Sequence, residues 1–392
     1  MIGTLGASRV QWASALILAV LSVTVITGEL PRVVPPHGLW DFGSFVASGR
    51  AAREGLNPYG VYPLTLRVEL PGFESWNPNL NPPISALLFQ LFDLADPETT
   101  LRVWWWISVA FYAATVALMV ARFAAGQPPV STVAAALWAL ALAGFWDTLF
   151  LGQIYLPLVF AAVAAWLLLE RGAGIGAGVL IGLVVAVKPN FLVWPVLLFL
   201  SGARLPALAA LGIAAVVSAI PLAVYGPEVY RQWLELVASD RERAFFLTNA
   251  SFEGLAARAG LPGLGLILSV VMLAGLAAWA FRQRPTVLRA SALALVAALL
   301  AAPVGWIHYT LFLLPVFFSL WHRPSVPLVG LLLIVPVPAI IDQFTKPAWV
   351  QLTFGSVYGW ALVLLFALLV VREGRAAITD GAPIRERARR AS

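Results

Sequence analysis

The chain has 392 residues, of which 61% are hydrophobic and only 11% charged, and its mean hydropathy is +0.88. A soluble domain carries about 25% charged residues, so this composition excludes an ordinary soluble protein and points to a membrane protein. The net charge of +6 comes from arginines scattered over loops and a tail, which does not suit a nucleic-acid surface, and the lack of cysteine excludes disulfides and thiolate metal sites.

In chain order, the first apolar run is Val10 to Ile26. No small-residue cleavage site follows it, so it reads as a retained first span. Runs suited to a ~30 Å hydrocarbon core fall roughly at 10–27, 100–120, 130–146, 153–169, 173–187, 189–201, 204–225, 263–281, 286–302, 305–320, 324–341 and 354–371. They predict about twelve crossings and an all-α polytopic membrane protein, and the short alternating strands of a membrane barrel are not seen. Pro82 to Ala95 is too short to count as a crossing and is expected to be re-entrant or interfacial.

Charge supports that threading. If Pro82–Ala95 does not cross, Arg122, Arg171, Arg204, Arg282, Arg284, Arg289, Arg323 and the tail arginines share one side, the cytoplasmic side by the positive-inside rule. The expectation is then a plasma-membrane protein with both termini cytoplasmic and a single integral domain over 1–371. Its extracytoplasmic face would carry two long loops, 28–99 and 226–262, and the turns between spans at 146–153, 188–190, 303–308 and 342–353. The basic tail 372–392 would be cytoplasmic, either resting on anionic headgroups or simply a disordered end.

Most of the polar residues with chemical potential arrive on the outer face. Asp41 follows the first span and heads a segment whose apolar residues, Phe42, Phe45, Val46, Ala52 and Leu56, are spaced like one helical face. A short interfacial helix is predicted there, closed by Gly55 and the turn Asn57-Pro58-Tyr59. Asp41 either caps that helix, or serves as a carboxylate at the mouth of the bundle, or both. Asn77-Pro78-Asn79-Leu80-Asn81-Pro82-Pro83 is an extended, helix-breaking stretch whose asparagines either contact a sugar or satisfy local backbone groups. Trp104-Trp105-Trp106 reads as interfacial anchoring and packing.

Gly152-Gln153 opens a span at the outer face, where Gln153 either bonds a ligand or caps a helix end. Lys188 lies between two apolar runs; a cation that deep costs roughly 2.5–3.5 kcal/mol and calls for a phosphate-like partner unless it snorkels to the surface. In the second long loop, Tyr230, Trp233, Leu234 and Val237 share a helical face and predict another interfacial helix. Asp240-Arg241-Glu242-Arg243 follows, whose arginines either grip a phosphate or pair with their acidic neighbours, and then Thr248-Asn249-Ala250-Ser251. Trp306, His308 and Tyr309 stand at a further span boundary after Pro303, with His308 able to donate to a phosphate or a sugar hydroxyl.

There is no Walker loop, dinucleotide fingerprint or His-Glu-x-x-His pair. Asp41 has no second acid beside it to build a carboxylate metal cage. No cofactor and no metal are therefore expected, and a leaving phosphate would have to be stabilised by Lys, Arg or His.

Asp41, Gly55-Leu56-Asn57-Pro58-Tyr59, Asn81-Pro82-Pro83, Gly152-Gln153, Lys188-Pro189, Asn249 with Ser251, and Pro303…Trp306…His308 form an ordered set over most of the chain. In that set the chain resembles the polyprenol-phosphate-mannose-dependent mannosyltransferases of glycosyltransferase family 87, which have the GT-C membrane architecture. The resemblance implies a GT-C-type bundle of about twelve transmembrane helices, with interfacial helices in the first extracytoplasmic loop. It also implies inverting transfer of a sugar, mannose, from a polyprenyl-phosphate donor to a lipid or glycan acceptor within the cell envelope. Asp41 matches the family's catalytic carboxylate and would act as general base. Lys188, His308 and Arg243 are the candidate ligands of the donor phosphate, and Tyr59, Asn81, Gln153, Asn249, Ser251 and Trp306 the candidate substrate contacts. Asn249-Ala250-Ser251 is a plainer version of the family's amide-rich motif, so the hold on the acceptor departs there. Expected partners are the lipid-linked donor, the acceptor and membrane lipids, with no nucleic acid. The alternatives are another carrier-linked sugar, glucose or arabinofuranose, and a non-enzymatic multispan transporter or lipid flippase. Transporters usually show related halves and broken midplane helices, and no convincing repeat is seen here.

Overall fold

The computed structural model describes residues 2–70, 73–93, 95–123, 127–239 and 242–371. The predicted basic tail, 372–392, and the pair Asp240-Arg241 lie outside the described residues.

The chain is an all-α polytopic membrane protein, with one small hairpin among the described residues. Helix α1 (Ile2–Val33) is followed by α2 (Trp40–Arg53), then by strands β1 (Leu66–Leu70) and β2 (Phe73–Asn77) and a short helix α3 (Pro83–Phe89). Helices α4 (Pro97–Phe123), α5 (Pro129–Ala141), α6 (Ala143–Leu151), α7 (Tyr155–Glu170), α8 (Gly174–Val187), α9 (Val193–Leu200) and α10 (Arg204–Tyr225) form the first part of the bundle. The second loop contributes α11 (Glu228–Ser239) and α12 (Phe252–Arg258), and α13 (Leu264–Gln283) and α14 (Val287–Leu300) return to the bundle. After a 3₁₀ stretch over Ile307–Leu313 come α15 (Leu314–Ser319), α16 (Ser325–Leu332), α17 (Val337–Ile341), α18 (Ala348–Leu352) and α19 (Val357–Val370).

The twelve apolar runs all become helical, but they do not become twelve long spans. Among the described residues six segments are long and apolar enough to cross: Trp12–Val33, Pro97–Phe123, Pro129–Leu151, Arg204–Tyr225, Leu264–Gln283 and Ala348–Val370. A seventh arises if Ser325–Leu332 and Val337–Thr345, bent by 69°, count as one. The other runs form Tyr155–Glu170, Gly174–Val187, Pro189–Leu200, Val287–Leu300 and Ile307–Ser319. The physical reason is length: a 14-residue helix rises only about 21 Å against a ~30 Å core. Several of these short helices are buried inside the bundle, α14 nearly throughout, whereas α1, α10 and α13 carry the exposed apolar residues Ile17, Val216 and Leu266 outward.

Two details of the first long loop differ from expectation. Helix α2 is no membrane-lying amphipath: Asp41 to Gly49, Ala51 and Ala52 are all buried, packed against α3, α4, α6 and β1. Phe42, Phe45 and Val46 face Phe89, Leu101, Trp104 and Ile154 in a small core of their own, so the helix gains its stability from protein rather than from lipid. The loop also contains the antiparallel hairpin, with Leu66 opposite Asn77 and Leu70 opposite Phe73, whose short strands were not visible among the surrounding apolar runs. The second loop fits its prediction better. Helix α11 is strongly two-sided, leaves Leu234 and Val237 exposed, and is pinned through Trp233 Nε1 to Leu80 O at 3.0 Å. Among its described residues, 82–95 holds α3 and a 3₁₀ turn at Gln90–Asp93, in keeping with a segment too short to cross.

Candidate active site

A cavity of about 1570 Å³ opens between the hairpin, the turn after α6, the end of α8, the second loop and the segment 301–309. One side of it is polar and the remainder is largely apolar, which suits a ligand with a charged head and a hydrocarbon body.

Asp41 is the second residue of α2, and its carboxylate makes no cap bond to the helix backbone, which sets the cap reading aside. Instead Asn77 Nδ2 donates to Oδ1 and Gln153 Nε2 donates to Oδ2. Gln153 arrives there because α6 ends on Gly152, which adopts φ +68°, where a side chain is strained; an added Cβ would lie 2.6 Å from Phe42 Cβ. The glycine therefore both turns the chain and lets α2 press against the turn. Burial pushes the Asp41 carboxyl up to about 6, against the opposing effects of the His308 charge, the Gln153 bond and the Arg243 guanidinium. A carboxylate tuned to that value is largely ionised at neutral pH and suited to taking a proton.

Lys188 follows α8 and precedes the 3₁₀ turn Pro189–Leu192. It does not snorkel: at 7% exposure its Nζ donates to Asn81 Oδ1 at 2.5 Å and to Tyr155 OH at 2.8 Å. Burial pushes the ammonium down to about 7, with the Asp41 charge acting the other way. Arg243, from the 3₁₀ turn Glu242–Phe245, is buried and donates to Asn77 Oδ1 and to Trp76 O (2.7 Å). One arginine thus ties the second loop to the hairpin end and, through Asn77, to Asp41. His308 is buried, with Nε2 2.8 Å from Asp147 Oδ2 and its ring stacked on Tyr155 at 5.0 Å and 15°.

Of the residues singled out in the sequence, Asp41, Asn81, Gln153, Lys188, Arg243, Trp306 and His308 line this one cavity. Tyr59, Asn249 and Ser251 do not. Tyr59 OH donates to Asn81 O at 3.2 Å and so supports a lining residue from behind. Asn249 spends both ends of its amide on backbone: Oδ1 accepts from Ser251 N and Gly305 N, and Nδ2 donates to Ala244 O. Ser251 caps α12 by accepting from Gly254 N. These two fold the second loop onto the 303–306 segment. Asn79 likewise serves the local structure through Ser48 and Ser85.

Sequence reasoning gave no role to Asp147 or Tyr155 and did not separate Asn77 from its neighbouring asparagines. For Asp147 there was a signal, an acid inside an apolar run. Tyr155 carried none, because a tyrosine at a span end is ordinary. Among the described residues, no three His, Asp or Glu side chains gather as metal ligands.

The family model described as glycosyltransferase family 87 matches residues 79–304, more than half of the chain. The matched region includes Asn81, Gln153, Lys188 and Arg243; Asp41 precedes it and His308 follows it. No match was found among curated proteins or solved structures.

Proposed function

The chain belongs to glycosyltransferase family 87, and from that premise we propose that it moves mannose from a polyprenyl phosphate to a hydroxyl of a lipid or glycan acceptor. The observation that carries this reading is the cavity's polar wall, where an ionisable carboxylate faces the same space as a lysine, an arginine and a histidine. The family match leaves the transporter and flippase alternative without support.

In the proposed step, the acceptor hydroxyl gives its proton to Asp41 while its oxygen bonds to the anomeric carbon. The bond from that carbon to the phosphate oxygen breaks, and the electron pair leaves with the phosphate. Negative charge then grows on the leaving group, where Lys188, His308 and Arg243 can meet it. Attack opposite the phosphate inverts the centre, so a β-linked donor yields an α-linked product. Gln153 and Asn77 keep both carboxylate oxygens oriented, and Asn81 and Tyr155 hold the ammonium of Lys188. The reaction on this reading needs no metal ion and no cofactor. The apolar part of the cavity, with Phe245, Leu266, Val337 and Ile341, would take the polyprenyl chain. We place the protein in the plasma membrane with both termini cytoplasmic and the cavity extracytoplasmic. In that threading the shorter apolar helices complete the twelve crossings of a GT-C bundle.

The test is transfer by the purified protein in lipid nanodiscs, supplied with radiolabelled polyprenyl-phosphate mannose and native membrane lipid extract. Label appearing in a new product, with wild type but not with Asp41→Asn, is the expected result. Transfer only from polyprenyl-phosphate glucose or arabinofuranose would correct the sugar. Silence from a folded wild type with all three donors would overturn the assignment.

A further inference from the structure

We propose that Asp147 is a positioning residue for the leaving-phosphate end of the cavity, holding the His308 imidazole in place beside the donor phosphate. The inference rests on the transfer reading above and goes beyond it by giving a role to a residue outside its machinery.

Five observations carry it. Asp147 lies in α6, inside the apolar segment Pro129–Leu151, where an ionisable group is costly and calls for a partner. Its partner is His308: Oδ2 and Nε2 are 2.8 Å apart, and both residues are buried (7% and 3% exposed). The backbone is arranged for this approach. Gly144, one turn before Asp147, lies so close to the 307–308 segment that an added Cβ would sit 2.7 Å from Ile307 O. The imidazole is also held from its face by Tyr155, whose ring stacks on it at 5.0 Å. Finally, neither ring nitrogen makes a hydrogen bond among the described residues, although the ring is buried and belongs to the cavity lining, so the approach of Asp147 is an ion-pair contact.

With the Asp147 carboxylate 2.8 Å from Nε2, the imidazole is held at this end of the cavity by charge and by the Tyr155 ring on its face. The carboxylate balances the charge of a cationic ring, and such a ring can donate to a phosphate oxygen. Tyr155 connects the two phosphate-facing groups, because its ring supports His308 and its hydroxyl accepts from Lys188. The pair Asp147–His308 therefore does for the histidine what Asn81 and Tyr155 do for the lysine.

The experiment measures binding of decaprenyl phosphate, without a sugar, to the full chain in nanodiscs, with decaprenol as the control that reports the apolar part alone. Wild type, Asp147→Asn, His308→Gln and the double variant are compared. Each single substitution is expected to weaken phosphate binding about tenfold, the size of one charge-assisted hydrogen bond, with decaprenol unaffected. Because Asp147 acts through His308, adding Asp147→Asn to His308→Gln is expected to cost nothing further. Losses that multiply in the double variant, or an Asp147→Asn protein that binds like wild type, would overturn the proposal. Asp147→Glu retains the carboxylate and is expected to recover part of the loss; a melting temperature near that of wild type keeps misfolding apart from the effect. In the transfer assay Asp147→Asn should lower kcat about tenfold and leave the acceptor KM unchanged. Wild-type phosphate binding without the predicted coupling removes the role of Asp147 alone. A wild type that neither binds the phosphate nor transfers a sugar removes the transfer reading and this inference with it.

Discussion

Two buried polar clusters in this molecule resemble each other in composition and differ in what they leave open. In the second loop, Arg258 is 3% exposed, and it donates to Ser356 Oγ at 2.6 Å, Phe246 O at 2.9 Å and Asn249 O at 2.8 Å. Asn249 bonds backbone at both ends, and Ser251 caps a helix. Every one of those groups is satisfied by protein, and none of the three lines the cavity. On the polar wall the bonding stops short. Asp41, Lys188 and His308 are each oriented by neighbours yet keep an edge toward the cavity. A buried polar group that is closed on protein specifies the fold, and one held in place but open to a cavity is available for chemistry.

Breaking the open cluster should cost activity, and breaking the closed one should cost stability. The largest expected effect is Asp41→Asn, a loss on the order of 100-fold or more in kcat with an unchanged melting temperature, since general-base catalysis is typically worth 10²–10⁴-fold. Near-normal turnover in a folded variant would remove Asp41 from the chemistry. Lys188→Gln comes next, at about 30-fold in kcat/KM, because one buried cation at a developing phosphate charge is replaced by a neutral donor. Arg258→Met tests the other side of the comparison. It removes the donor to Asn249 O and Ser356 Oγ and one of two donors to Phe246 O, and is expected to lower stability by about 2 kcal/mol or more, while activity per folded molecule changes little. A folded but inactive Arg258→Met would show that the closed cluster reaches the site after all.

The pH profile sharpens the same contrast. Asp41 must be ionised to accept a proton, so kcat/KM should fall about tenfold per unit as pH drops below about 6. Lys188 must be charged, and that charge is lost as pH rises through about 7, so the free enzyme's profile should be a narrow bell between these values. A flat profile from pH 5 to 8 would contradict both assignments. The smallest expected effect is Tyr155→Phe, which removes the hydroxyl that accepts from Lys188 at 2.8 Å and should cost about 1 kcal/mol, roughly fivefold, in kcat/KM.

Much of the cavity's polar wall was legible because polar residues within or beside apolar runs are rare enough to stand out. Asp41, Gln153, Lys188 and His308 interrupt or border apolar runs, and each is found at the cavity. Asn249 and Ser251 do not line the cavity and bond locally instead, because a polar residue in a loop is as useful for tying backbone as for binding a ligand, and only the partners tell which. Helix α2 shows a similar limit. Its apolar spacing was read correctly as helical, but periodicity does not say whether the apolar side meets lipid or protein, and here it meets Phe89 and Phe92. The hairpin, with five-residue strands, fell below the signal of the surrounding spans.

Composition and run length by themselves determined a helical membrane protein, since only long apolar segments with internally satisfied backbone tolerate hydrocarbon. They determined also that its scarce polar groups would be costly wherever they were buried. Which of those groups face a common cavity, and which close on one another, was decided by tertiary packing. Gly152 brings Gln153 to Asp41 and Gly144 brings Asp147 to His308, in each case by letting two backbone segments approach more closely than a side chain would allow. Such encounters join residues separated by more than a hundred positions, and no local pattern of the chain encodes them.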